Sequence, residues 1–322
     1  KLHSESVRFT NFHVGTTCAP SRSGLMTGKY CNKVGVWHTV NGREILREGE
    51  TTLAEKMKTA GYKTGIFGKW HLGDNYPFRP QDRGFDEVLI HGGGGVGQQP
   101  DYWENDYFDD TYFHNGKPQK YKGYCTDVWF SEALKFIKAN KNKPFFCYLP
   151  TNAPHGPYNI ADKYSNPYKN NPNIPNPNFY GMITNIDENI GRLREELKKM
   201  GIDKNTILVF MTDNGTAAGV KFGKNGEVVS GYNADMRGIK GSPYDGGHRV
   251  PFFINWPDGK ISSGKDITNL TAYIDVMPTL LDLCGINAEV KMDGTSLKPL
   301  INDSARNWLG RTLFTATQRE EQ

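Results

Sequence analysis

Cys18 opens the run Cys18-Ala19-Pro20-Ser21-Arg22-Ser23-Gly24-Leu25-Met26-Thr27-Gly28. Pro20 suits the first position of a helix, because its missing N–H has no partner there anyway. The sulfur then sits near the positive end of a helix dipole, with Arg22 one turn on. Such a place stabilises negative charge, so it activates a thiol or holds an anion. Taken alone, a lone cysteine at a helix start is more often a small buried hydrophobe. Lys69 and His71 stand two apart at the end of a short apolar strand and share a side of it. Asp213 and Asn214 close another apolar strand, at the edge where open α/β sheets bind ligands. Their oxygens suit a hard cation, Ca²⁺ before Mg²⁺, although Asp-Asn-Gly is also an ordinary turn. Lys240 lies in the Gly-rich segment Arg237–Pro251 with Asp245 and His248, and His155 lies in Ala153-Pro154-His155-Gly156-Pro157. Lysines, a nucleophile and histidines together are what transfer of an anionic group requires.

The elements that must position these residues follow from pattern. Val7–Phe12 alternates and predicts a strand leading to Cys18. Thr52-Leu53-Ala54-Glu55 is a capping box for a helix ending near Gly61. Lys63–Phe67, Pro144–Leu149, Thr206–Thr212 and Arg249–Trp256 predict strands. Ser131–Asn140 and Asp275–Leu283 predict helices, the latter stopped by Gly285. Met182, Ile183, Ile186, Ile190, Leu193 and Leu197 share one face of a helix over 181–200. Residues 74–130 and 151–180 are rich in Gly, Tyr, Asn and Pro and predict long loops, where binding residues tend to lie. Helix followed by buried strand, several times over, argues an α/β protein around a mostly parallel mixed sheet flanked by helices.

Composition narrows the functional class. The chain has 322 residues, 37% of them hydrophobic and 23% charged, as a soluble globular protein has. No apolar run approaches the ~18 residues that span a bilayer. The net charge of +4 is dispersed, which suits an anionic substrate and does not imply nucleic acid. Cys18, Cys31, Cys125, Cys147 and Cys284 show neither metal spacing nor a disulfide framework, though one disulfide is open to them.

The Cys18 run resembles the sulfatase signature Cys-x-Pro-Ser-Arg-x-x-x-Leu-Thr-Gly, with Met26 at the Leu position, a volume-conserving change. Gly61–Gly73 resembles the second sulfatase signature. Arg237–Pro251 is similar to the family's Arg-Gly-x-Lys-Gly-x-x-x-Glu-Gly-Gly-x-Arg-Val-Pro segment, with Asp245 in place of Glu. These matches run in the family's order from about Cys18 to Cys284, and five in order carry what one cannot. The resemblance implies an alkaline-phosphatase-like sandwich and a sulfuric ester hydrolase. It implies that Cys18 becomes formylglycine, made by a formylglycine-generating enzyme, and that the hydrated aldehyde is the nucleophile. It further implies that Lys69 and Lys240 bind sulfate, that His155 and Lys240 protonate the leaving oxygen, and that His71 is the base. Arg22 would hold the hydrate, Asp213 and Asn214 would bind calcium, and His248 would point at substrate. The compartment implied is extracytoplasmic.

The family also carries an Asp-Asp pair upstream of the cysteine. Here Glu5 is the sole acidic residue among the seventeen before Cys18, and Asp109-Asp110 lies downstream, so the role is not given to it. The expectation is a catalytic domain over 1–305 lacking its first strand and half its metal site, with 306–322 opening a shortened C-terminal subdomain at a strand from Arg311. Such a chain would be inactive or weak on its own. Rival readings are a phosphate or phosphonate ester hydrolase of the same superfamily, a plain thiol hydrolase using Cys18, and a non-catalytic glycan-binding relic. The loop His91–Gln99 with Tyr102, Trp103, Tyr107, Phe108, Tyr112 and Phe113 could stack on sugars. It favours a carbohydrate sulfate over a small aryl sulfate.

Overall fold

The computed structural model describes residues 1–262, 264–302, 308 and 310–317. They form two compact units: Lys1–Ala60 with Leu197–Gly215 and the chain from Gly238 on, and Gly61–Glu196 with Thr216–Arg237.

The first unit is built on a four-stranded sheet in the order Asp266–Ile267, Val7–Phe9, Phe252–Asn255, Leu208–Met211. The first pair is parallel and the other two antiparallel. The expected strand Val7–Phe12 is broken at Thr10-Asn11. Phe12–His13 pairs instead, in parallel, with Thr271–Ala272. The break lets Phe9 and Phe12 both reach the core, where Phe12 stacks on Phe252 at 4.2 Å between ring centroids.

The helix Cys18–Thr27 follows an extended Thr17 and ends at Gly28, whose φ of 65° turns the N–H back onto the Gly24 carbonyl. Pro20 therefore occupies the third helical position rather than the first, still inside the turn that needs no N–H donor. One face of this helix meets Tyr273, which opens the turn Tyr273–Asp275 before the helix Val276–Leu283. A Cβ on Gly24 would lie 2.0 Å from the Tyr273 ring, so only glycine allows this contact. Asp275 is buried and accepts from Ala272 N, Thr295 N and Arg311 Nη1. No strand starts at Arg311. Residues 310–317 run irregularly, because Arg311 turns inward to that carboxylate. The rest of the expected subdomain, residues 306, 307, 309 and 318–322, lies outside the described residues.

The second unit holds a five-stranded sheet in the order Lys117–Lys120, Thr111–His114, Glu87–His91, Lys63–Lys69, Phe145–Tyr148. Its last three strands are parallel, and the outer two add on antiparallel. Glu87–His91 falls in the region expected to be loop. Val88, Leu89 and Ile90 are buried, a run too short to stand out among glycines and aspartates. The helix over the sheet is Cys125–Asn140, starting ahead of Ser131. Its Phe136 packs on Phe67, with centroids 5.6 Å apart. Asp162–Lys169 is a short helix within the second expected loop. In the long helix Pro177–Lys199 the buried stripe is not purely apolar. Met182, Leu193 and Leu197 are buried, but so are Asn185 and Asn189, which both donate to Asp127 Oδ1 at 2.9 and 2.7 Å, while Ile183 is exposed.

Gly24→Ala is expected to push the cysteine helix off Tyr273 and destabilise the protein by about 2–3 kcal/mol. Adding Tyr273→Leu should recover part of the loss. Denaturant midpoints of the two variants check this, and an unchanged midpoint for Gly24→Ala would refute the contact.

Candidate active site

In the first unit, five of the residues singled out by sequence come together. Cys18 is the first residue of its helix and is buried. Thr17 makes no side-chain cap to the first turn, so its hydroxyl does not occupy those N–H groups. The Lys240 ammonium donates to Cys18 Sγ at 3.2 Å, and the thiol faces Asn214 Oδ1 at 3.6 Å. Arg22 donates from Nε and Nη2 to Asp213 Oδ2 at 3.0 and 2.7 Å. Two backbone contacts hold the loops in register: Gly241 N donates to Thr16 O at 2.9 Å, and Gly215 N to Gly247 O at 2.9 Å. A Cβ on Gly215 would fall 1.8 Å from Gly246 O, so the turn after Asp213-Asn214 accepts no side chain there.

Among the described residues, positive charge gathers at this point. Arg22 and Lys240 are cations, the helix start adds a partial positive charge, and Asp213 supplies one carboxylate. Burial pulls the Lys240 pKa down, but Cys18 and Asp213 outweigh it, so the ammonium titrates above the ordinary lysine value. It is charged at neutral pH and able to hold an oxyanion or give up a proton to one.

In the second unit, Lys69 ends its strand and is buried, and His71 two residues on is buried at a φ of 61°. Gly68 has a φ of 130°, and a Cβ there would meet Pro150 O at 2.2 Å. This brings the strand end against the segment that continues to His155. The His155 ring places Nδ1 2.8 Å from Gly156 O, so Nδ1 carries a hydrogen. Four consecutive glycines, Gly92–Gly95, brace both rings. A Cβ on Gly94 would lie 2.7 Å from His71 Nε2, and one on Gly95 3.0 Å from His155 Nδ1.

Asp101 pins this glycine loop, accepting from Gly92 N at 2.9 Å and Gly97 N at 2.8 Å. Asp74 accepts from Gly93 N at 3.0 Å. Tyr107, buried, donates from its hydroxyl to His155 O. Asp74 and Asp101 had no role in the sequence-based expectations, and Tyr107 had only that of stacking on a sugar. The glycine run was the available signal, since consecutive glycines mark close backbone approach.

Other expectations fall elsewhere. His248 is buried with one ring nitrogen on His13 and the other on Pro243 O. Asp110 is buried and accepts from Asp106 N, Tyr107 N and Tyr112 Oη, a purely local role. Tyr107 and Tyr112 are core residues, whereas Trp103, Tyr102 and Phe108 are exposed. All five cysteines are free thiols.

The model of the Sulfatase family matches residues 1–286. The chain belongs to the sulfatase family. It is 30% identical to an uncharacterized sulfatase, YdeN, of Escherichia coli strain K12, over 94% of this chain and 56% of that protein. It is 28% identical to human N-acetylgalactosamine-6-sulfatase, over 98% of this chain and 64% of that protein. Among solved structures, Ps i-CgsB bound to a neocarrahexaose matches with a TM-score of 0.81 at 30% identity, covering 94% of this chain and 70% of that one. The chain spans about half the length of the first curated relatives it matches.

The donors at the end of Leu208–Met211 fit a hard cation in kind, being a carboxylate and an amide oxygen. They fall short of the ~6–8 oxygens calcium takes, and Asp213 Oδ2 already faces Arg22. Gly94→Ala is expected to displace the His71 ring while sparing the fold. His71 imidazole NMR signals should shift, with melting lowered by only a few degrees, roughly 1 kcal/mol. Unmoved His71 signals would show that the glycine loop does not brace the ring.

Proposed function

We infer that the protein hydrolyses sulfate esters, breaking the S–O bond so that ester and water give an alcohol and hydrogen sulfate. A sulfated carbohydrate is the preferred substrate class. The observation that carries this is the Lys240 ammonium 3.2 Å from Cys18 Sγ. An ammonium charged at neutral pH touches the end of the side chain that family membership makes special, at a helix start. Relatives named for sulfated carbohydrates support the substrate class, among them the N-acetylgalactosamine-6-sulfatase and an ulvan-active sulfatase of Formosa agariphila.

Oxidised to formylglycine by a formylglycine-generating enzyme, position 18 would supply the hydrated aldehyde oxygen that attacks sulfur. Asp213 and Asn214, with further oxygens, would hold a divalent cation, calcium before magnesium, whose charge offsets that of the sulfate. Arg22 fixes the Asp213 carboxylate through two hydrogen bonds and so orients that end of the site. Lys240 binds a non-bridging sulfate oxygen and gives a proton toward the departing alkoxide. The family resemblance adds Lys69 as a second sulfate ligand, His155 as a proton donor to the leaving oxygen, and His71 as the base that removes a proton from position 18 at turnover. His248, occupied at both nitrogens, receives no substrate contact in this scheme. Exposed Trp103, with Tyr102, offers ring faces to a sugar. An extracytoplasmic location follows the family's habit. No helix of the described residues is long and apolar enough to cross a membrane.

Two measurements test the reading. Full-length protein coexpressed with a formylglycine-generating enzyme should hydrolyse an aryl sulfate faster than the matching aryl phosphate. Cys18→Ala should lose at least about 10³-fold in kcat, and mass spectrometry should find the position-18 peptide lighter than the thiol form. Full activity with an intact thiol would sink the mechanism, and a preference for phosphate would reassign the substrate. Trp103→Ala should raise KM for a sulfated oligosaccharide about tenfold, a loss of ~1.4 kcal/mol, and leave aryl sulfate kinetics alone. Equal KM values would remove the loop from the sugar site.

A further inference from the structure

A second cluster in the first unit uses neither Cys18 nor Lys240. It forms where the strand Phe12–His13 meets the short helix Asp245–His248. His13 Nδ1 and His248 Nδ1 face each other at 2.9 Å. The outer nitrogens decide what those two atoms carry. His248 Nε2 lies 3.1 Å from the Pro243 carbonyl, which can only accept, so the hydrogen sits on Nε2 and Nδ1 presents a lone pair. His13 Nε2 lies 2.8 Å from Asn11 Oδ1, and with the amide oriented this way the same tautomer holds.

Two lone pairs aimed at each other across 2.9 Å repel unless a positive centre lies between them. A shared proton is one such centre. A divalent ion bound to both nitrogens is another. Asp245 closes the third side, since one ligand atom from each of the three residues lies within 4.8 Å of the others. Outer hydrogen bonds to carbonyl oxygens are also what orients imidazoles that ligate a metal. Arg249 Nη1 lies 3.5 Å from Asp245 Oδ2 in an exposed pair, and such a pair yields at little cost.

The geometry points to a binding site for a borderline divalent ion, zinc(II) above all, held by His13 Nδ1, His248 Nδ1 and the Asp245 carboxylate, with water completing the shell. Imidazole nitrogens favour zinc and its first-row neighbours over calcium and magnesium. At zinc–nitrogen bonds of about 2.0–2.1 Å, two tetrahedral ligand nitrogens sit roughly 3.3 Å apart, a few tenths wider than the observed pair. His13 lies five residues before Cys18 and His248 eight after Lys240. The ion would bolt together the two chain segments that lead to the cationic cysteine.

The test uses untagged full-length protein stripped with a chelator and then titrated with zinc(II) by calorimetry. One equivalent should bind with Kd below about 1 μM, or ~8 kcal/mol, undisturbed by excess calcium. Loss of zinc affinity by at least about 100-fold is expected for His13→Ala/His248→Ala, and about tenfold for Asp245→Asn. Binding no tighter than about 10 μM, or equal binding by the double variant, would overturn the site. Should the double variant not fold, imidazole NMR of the unaltered protein decides. One equivalent of zinc must shift the Nδ1 signals of both histidines and leave Nε2 protonated, and unmoved signals overturn the proposal.

Discussion

Cations that are screened from water must find negative charge, and in the first unit two of them share one carboxylate. Arg22 takes Asp213, leaving Lys240 to lean on the sulfur of Cys18. A helix start without a capping side chain adds to the same sign. This shortage of negative charge among the described residues is the constraint on which the rest depends, because such a place favours an anion. The surrounding sheet ends and glycine contacts serve to keep these cations in place, against their mutual repulsion.

Glycine supplies much of that holding. Gly24 lets the cysteine helix lie on Tyr273, Gly215 lets one turn touch the backbone at Gly246, and Gly94 lets the loop press on His71. None of these contacts brings a side chain of its own to the chemistry. Each sets the distance at which another side chain works. That separation of roles explains why the residues with ordinary propensities build the sheets, while the catalytic candidates are aimed by residues with no side chain at all.

What the sequence disclosed follows from how local its causes are. The Cys18 helix and the Thr52 capping box depend on neighbours within a few positions; the box appears where pattern puts it, and the helix starts two residues ahead of Pro20. The pairing of Arg22 with Asp213 and of Lys240 with Cys18 joins residues about two hundred apart, and family motifs named the members without showing the contacts. Glu87–His91 escaped notice because a five-residue parallel strand needs its neighbours to be recognised. Asn185 and Asn189 on a core-facing stripe were invisible for a related reason: Asp127, on another helix, is what makes their burial tolerable. His248 was read as a surface or substrate residue because its partner, His13, lies at a distant point in the chain.

Asp275 carries a consequence for any shortening of the chain. Its carboxylate is wholly enclosed, and the positive charge matching it comes from Arg311, on an irregular tail. Removing that tail would strand an anion in the interior, at a cost of ~3–5 kcal/mol for a broken buried pair. The damage would surface beside Tyr273, the residue on which the cysteine helix rests. A protease nick in this irregular stretch would thus loosen the footing of the helix that begins at Cys18.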